Sequence, residues 1–108
     1  MALKWTAPLD PDEKKDYVRD WTAELDALTD TISSAQFDLP QAVTDATLTA
    51  TNVSIFDSSK KVRVWFEATN AATLRSTFAG NKVSVRHTIT TVGGRRFNES
   101  IELKIREN

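Results

Sequence analysis

Apolar and polar residues alternate along several short runs, most cleanly near the C-terminus. Over 82–91, Val83, Val85, His87 and Ile89 fall on one side; over 97–106, Phe97, Ile101, Leu103 and Ile105 do the same. A period of two marks a half-buried strand. Gly93-Gly94 between the runs predicts a hairpin. A two-residue turn there would set odd positions against even ones and bury neither row, because a one-residue slip flips a strand's side chains. The rows therefore require a loop of odd length. Gly93-Gly94-Arg95 is the simplest, with a glycine for a left-handed position. That register sets Val85 against Leu103, His87 against Ile101 and Arg86 against Glu102.

The same pattern runs upstream. Over 61–67, Val62, Val64 and Phe66 share one side, and Arg63, Trp65 and Glu67 the other. Residues 46–52 alternate small apolar residues with Thr, and 53–56 predict a separate short strand before a turn at 57–60. Residues 31–39 predict a strand with Ala35, Phe37 and Leu39 on one face, ended by Pro40. Over 14–20, Tyr17, Arg19 and Trp21 share a face. A helix over 11–28 competes there: Asp10 would cap it, Pro11 would open it, and Trp21, Leu25 and Leu28 have helical spacing. Tyr-Val and Trp favour the strand, which leaves 22–30 as a loop. Residues 68–80 predict a connection with one helical turn carrying Leu74 and Phe78. Residues 1–13 hold Pro8 and Pro11 and predict an extended arm. About seven strands with no βαβ repeat predict an all-β, immunoglobulin-like antiparallel β-sandwich over 14–108, preceded by the arm.

Composition narrows the function. A length of 108 residues is one domain. The chain has no cysteine, which excludes disulfides, thiolate metal sites and Cys nucleophiles. With 14 basic and 15 acidic residues the net charge is −1, so neither nucleic acid nor a membrane is expected as a partner. No run approaches the roughly 20 apolar residues of a membrane helix, and the N-terminus lacks the apolar stretch of a secretory signal. The one histidine, His87, lies in an apolar row and reads as a core or rim residue satisfied by one hydrogen bond. It has no second His or Cys with which to share a metal. The acidic run Asp10-Pro11-Asp12-Glu13, with Asp16, lacks the glycine of a calcium loop and reads as solvated surface or a strand-entry cap. There is no Gly-x-Ser-x-Gly elbow and no phosphate loop. The expectation is no catalytic residue, no cofactor, no metal and no enzyme.

Surface residues remain. Trp5 and Leu9 sit on the arm, where they would tuck onto their own domain or dock on a neighbour. Trp65 is out of phase with the apolar row of its strand, so a loop covers it or it anchors an interface, the covered role being favoured. Arg95 and Arg96 lead a basic cluster with Arg86, Lys104 and Arg106. Charge of this kind blunts a sheet edge against aggregation, and that reading is favoured over contact with phosphate or with a partner's acidic patch. The candidate protein-binding residues are Trp5, Leu9, Trp65, Arg95 and Arg96. The alternative function is a glycan- or surface-binding module that uses exposed Trp65 or Trp21 as a stacking platform.

Three segments carry a resemblance: Asp10-Pro11-Asp12-Glu13 through Asp16-Tyr17-Val18-Arg19-Asp20-Trp21; Asp30-Thr31-Ile32-Ser33-Ser34; and Arg86-His87-Thr88-Ile89-Thr90-Thr91-Val92-Gly93-Gly94-Arg95-Arg96-Phe97-Asn98-Glu99-Ser100-Ile101. Together they resemble small structural proteins of tailed bacteriophages and prophages. The resemblance implies an immunoglobulin-like virion component made in the cytoplasm of the host bacterium. It implies a place in capsid decoration, a head fibre or the head–tail neck. The implied partners are capsid or head–tail connector proteins, with several copies of the chain in one particle.

Overall fold

The computed structural model describes residues 3–106. The first two positions of the expected arm and the last two of the expected domain lie outside them. The chain runs β1 (Leu3–Lys4), β2 (Lys14–Asp20), α1 (Thr22–Leu28), β3 (Ile32–Asp38), α2 (Gln41–Asp45), β4 (Leu48–Phe56), β5 (Lys61–Ala68), α3 (Ala71–Phe78), β6 (Lys82–Thr91) and β7 (Arg96–Lys104). The architecture is all-β. One sheet has the order β1-β7-β6-β3 and the other β2-β5-β4. Every pairing of long strands is antiparallel; the two-residue β1 joins β7 in parallel.

The core lies between the sheets and follows the expected rows. Val62, Val64 and Phe66 of β5 are fully enclosed, as are Val85, His87 and Ile89 of β6 and Leu103 of β7. Each large apolar side chain buried this way contributes about 1.5–3 kcal/mol. Strand β3 accommodates a parity change: its register shifts between Ile32 and Ser34. The irregularity lets Ile32 and Phe37, one even and one odd, both face the core.

Several expectations change. Residues 22–30 are not a loop, because α1 occupies Thr22–Leu28. Its Leu25 is buried one turn after Trp21 and donates its amide to the Trp21 carbonyl at 2.9 Å. The Trp21–Leu25 spacing was therefore a helical signal, but the helix begins after the strand instead of replacing it. The Asp20 carboxylate marks the boundary by accepting from the Thr22 amide at 2.8 Å. The strands expected over 46–52 and 53–56 are one strand, β4, which begins at Leu48 and is interrupted by a bulge between Thr51 and Ser54. Asn52 supplies the left-handed residue there, with φ 52°. The single turn expected in 68–80 is the two-turn α3, whose Asn70 cap accepts from the Thr73 amide at 3.2 Å. Helix α2 was not expected; it buries Val43.

The hairpin has the expected odd loop but another offset. Val85 faces Ile101, Val83 faces Leu103, His87 faces Glu99 and Arg86 faces Ser100. Thr91 donates its amide to the Arg95 carbonyl, so the loop is Val92-Gly93-Gly94. The cause is the last loop position, which is left-handed: Gly94 has φ 89°. In a 93–95 loop that position would fall on Arg95, and only glycine adopts it without cost.

The arm takes the first of its two expected placements and tucks onto its own domain. Its residues 3–9 are stitched to the domain. The Trp5 amide donates to the Glu102 carbonyl at 3.1 Å, Leu9 to Lys104 at 2.9 Å, and Arg106 to Leu9 at 2.9 Å. Tyr17 donates its hydroxyl to the Ala7 carbonyl at 2.9 Å. The physical reason is apolar: Leu9 is 0% exposed, and the Trp5 ring lies 5.0 Å from Tyr17 and 5.7 Å from Phe66. A segment carrying two such side chains gains more by closing the sandwich than by extending into water.

Candidate protein-binding surfaces

Two of the five candidate residues point inward. Leu9 has no accessible surface. Trp5 is half-buried, and its indole N–H donates to the Val18 carbonyl at 3.0 Å. Neither is a free contact in this fold.

His87 is a core residue with two hydrogen bonds, one more than expected. The Trp21 indole donates to Nε2 at 3.1 Å, and Nδ1 lies 3.0 Å from the Gln36 carbonyl. The indole can only donate and the carbonyl can only accept, so the ring is neutral with its proton on Nδ1. It stacks on Phe37 at 4.0 Å and 9°. Burial, the largest cause, holds its pKa below the ordinary imidazole value. Outside this pair, the Arg19 guanidinium lies 3.9 Å from the Trp21 ring centroid and binds Glu99 through Nε at 2.6 Å and Glu24 through Nη2 at 2.6 Å. These contacts tie α1, β2 and β7 together around the buried Trp21–His87 pair. No group of three or more His, Cys, Asp or Glu among the described residues could hold a metal ion.

Arg95 and Arg96 are neighbours with different surroundings. Asp30, whose side chain is only 4% exposed, sits beneath the β6–β7 tip. Its Oδ1 accepts from the Thr31 amide at 2.9 Å and from the Gly93 amide at 3.0 Å; its Oδ2 accepts from Arg95 Nη1 at 2.7 Å. The Thr91 hydroxyl above all, then Arg95 and the two amides, hold the Asp30 carboxyl well below the usual carboxylate range against the opposing effect of burial. Val92 adds a backbone bond to the Thr31 carbonyl at 2.9 Å. Gly93 is required by this latch, because a Cβ there would lie 2.8 Å from Asp30 Oδ2. Arg95 is thus engaged within the domain. Arg96 is exposed and makes no ion pair among the described residues. At the apex Val92 is 71% exposed, the most exposed of the large apolar side chains described. The sequence pattern hid it, since the expected loop began one residue later, at Gly93, and left Val92 outside it. The signal that would have found it is the demand for glycine at the last loop position.

Trp65 lies on the outer face of the three-stranded sheet, between Asp16 of β2 and Thr51 of β4. It is half-buried, with Lys14 Nζ 6.0 Å from its ring centroid. Lys14, Asn52, Ser54, Arg63 and Trp65 line an open concavity of about 540 Å³. The β4 bulge presents Asn52 and Val53, the latter 38% exposed. Trp65 and the hairpin tip are separate surfaces.

The described chain measures 44 × 21 × 20 Å, and no helix in it is long and apolar enough to cross a membrane. No curated protein matches the chain. A family model described as podophage GP4 fiber-tail adaptor protein gp77 matches residues 9–104, which include every strand from β2 to β7. The chain belongs to that family of small phage structural proteins.

Proposed function

We propose that this chain is a non-enzymatic virion adaptor that joins a fibre to the tail side of the particle by surface contact, with the β6–β7 tip as one of its contacts. The observation that carries the reading is the latched tip. A carboxylate with two backbone amides, a hydroxyl and a guanidinium fixes a loop whose apex displays an exposed apolar residue. An apolar side chain held rigid in water gains binding free energy without a further ordering cost on docking. Val92 and Arg96 are the contact residues, with Arg95 positioning the loop. The family description supports the adaptor role and names a fibre and a tail as what its members join. The partners of this chain are then a fibre component and a connector protein on the tail side, with several copies per particle.

The strand order supports an immunoglobulin-like assignment. In the seven-strand form, one sheet carries strands in the order A-B-E-D and the other C-F-G. Here β2-β5-β4 corresponds to B-E-D, β3-β6-β7 to C-F-G, and β1 lies beside the last strand. The Trp65 concavity favours a second contact on the three-stranded sheet, where an aromatic ring, an amide and two cations converge.

The test is incorporation. Val92→Glu and Arg96→Glu together should leave the melting curve unchanged and reduce the fibre content of assembled particles at least tenfold. Unreduced fibre content would refute the tip as a contact. Binding of Trp65 to surface sugars is checked by tryptophan fluorescence across a glycan panel, where no change is expected on the adaptor reading.

A further inference from the structure

The outer face of the four-stranded sheet carries an arrangement that folding does not favour. Lys82 of β6 stands directly opposite Lys104 of β7. Like charges directly opposite on neighbouring strands are destabilising. Lys4 of β1 lies beside Glu102 in the same corner. The one carboxylate there, Glu102, is 3.7 Å from Lys82, and among the described residues Lys4 and Lys104 form no ion pair. The wider face continues the imbalance: Lys4, Lys82, Arg86, Arg96 and Lys104 point outward against Asp38 and Glu102. The three lysines surround an open concavity of about 320 Å³, completed by Trp5, Thr6 and Glu102.

We infer that Lys4, Lys82 and Lys104 form a docking site for an acidic, extended polypeptide segment of a partner protein. Charge gives the sign of the ligand: three convergent ammonium groups with one carboxylate leave a local excess of positive charge. Geometry gives its class. β1 is an edge strand, and the amide of Trp5, which follows it, is turned toward β7. Backbone alternation then turns the Lys4 amide toward the open side, where an added extended segment pairs. Glu102 within the corner disfavours the continuous phosphate row of a nucleic acid but accepts the amide donors of a peptide. The site does not depend on the tip. The ten residues of β6 separate the two, about 30 Å at ~3.3 Å per residue. One chain would therefore hold two partners without their colliding.

The probe is a synthetic ten-residue glutamate peptide added to the ¹⁵N-labelled chain. The amide signals of residues 4–6, 82–84 and 102–104 should shift, and the shifts should weaken as salt rises. Lys82→Glu and Lys104→Glu, made singly, should each weaken the peptide at least tenfold. Lys104→Glu converts the repulsive cross-strand pair into an attractive one, so its melting temperature should hold or rise; Lys82→Glu does the same but gives up the exposed contact with Glu102, so its melting temperature should change little. Loss of binding with a retained melting temperature separates this site from a folding effect. Retained peptide binding in the Val92→Glu, Arg96→Glu variant separates it from the tip. No shift with the peptide, shifts unchanged in both reversals, or an equal response to inorganic phosphate or a DNA duplex would overturn the inference.

Discussion

Asp30 governs the tip from the segment just ahead of β3, the strand beside β6. Its carboxylate is satisfied only while ionised, because four donors converge on it. Its pKa is depressed in the folded chain, so its contribution is complete above the ordinary carboxylate value of about 3.9. That contribution is lost as the pH falls through the lower folded value. Asp30→Ala should lower the midpoint of urea unfolding at pH 7 and flatten the acid limb of stability against pH, measured from pH 7 to pH 2.5. His87 works in a different window. Its folded pKa is also depressed, but it is a base whose neutral form is the native one. The stability it contributes is present above about pH 6.5 and declines as the pH falls below that value. His87→Leu leaves the Trp21 indole and the Gln36 carbonyl without partners, at about 1–3 kcal/mol each. Urea unfolding at pH 7.5 and pH 5.5 should show that loss, and the variant should no longer weaken between the two.

At the scale of elements, the alternation of Val83, Val85, His87 and Ile89 revealed β6, and the parity of the facing row excluded an even loop. The offset was not legible from that row. It depends on Gly94 at a left-handed position and on a latch whose acceptor lies 63 residues upstream of Gly93. Gly94→Ala should therefore cost about 1–2 kcal/mol, with Gly94→Asn milder, as read from urea midpoints. Which of its two placements the arm takes was not legible for a related reason. Pro8 and Pro11 signal extended chain, but nothing local says that Leu9 will enter a core built by β5, β6 and β7. Leu9→Ala should cost about 2–5 kcal/mol. Removal of residues 2–9 should unfold the domain, not release a free sandwich, which circular dichroism with thermal melting checks directly. Among the candidate contacts, Trp65 and the arginine pair were visible as breaks in the pattern. Val92 and Lys82 were not, because Val92 stood just ahead of the expected loop and Lys82 looked like an ordinary strand residue until its neighbour across the ladder was known.

At the scale of the molecule, the fold separates stability from contact. Tyr17, Trp21, Phe37, Phe66 and His87 are buried between the sheets, and the outer faces carry Trp65, short polar side chains, a few apolar points and unbalanced charge. A family joined to fibre and tail by name fits a body of 44 × 21 × 20 Å with distinct features at its two ends. The most direct measurement is quantitative mass spectrometry of purified particles assembled with the Val92→Glu, Arg96→Glu chain in place of the wild-type one. The account predicts a soluble, normally melting variant and particles depleted of fibre. Particles carrying fibre at wild-type copy number would contradict it.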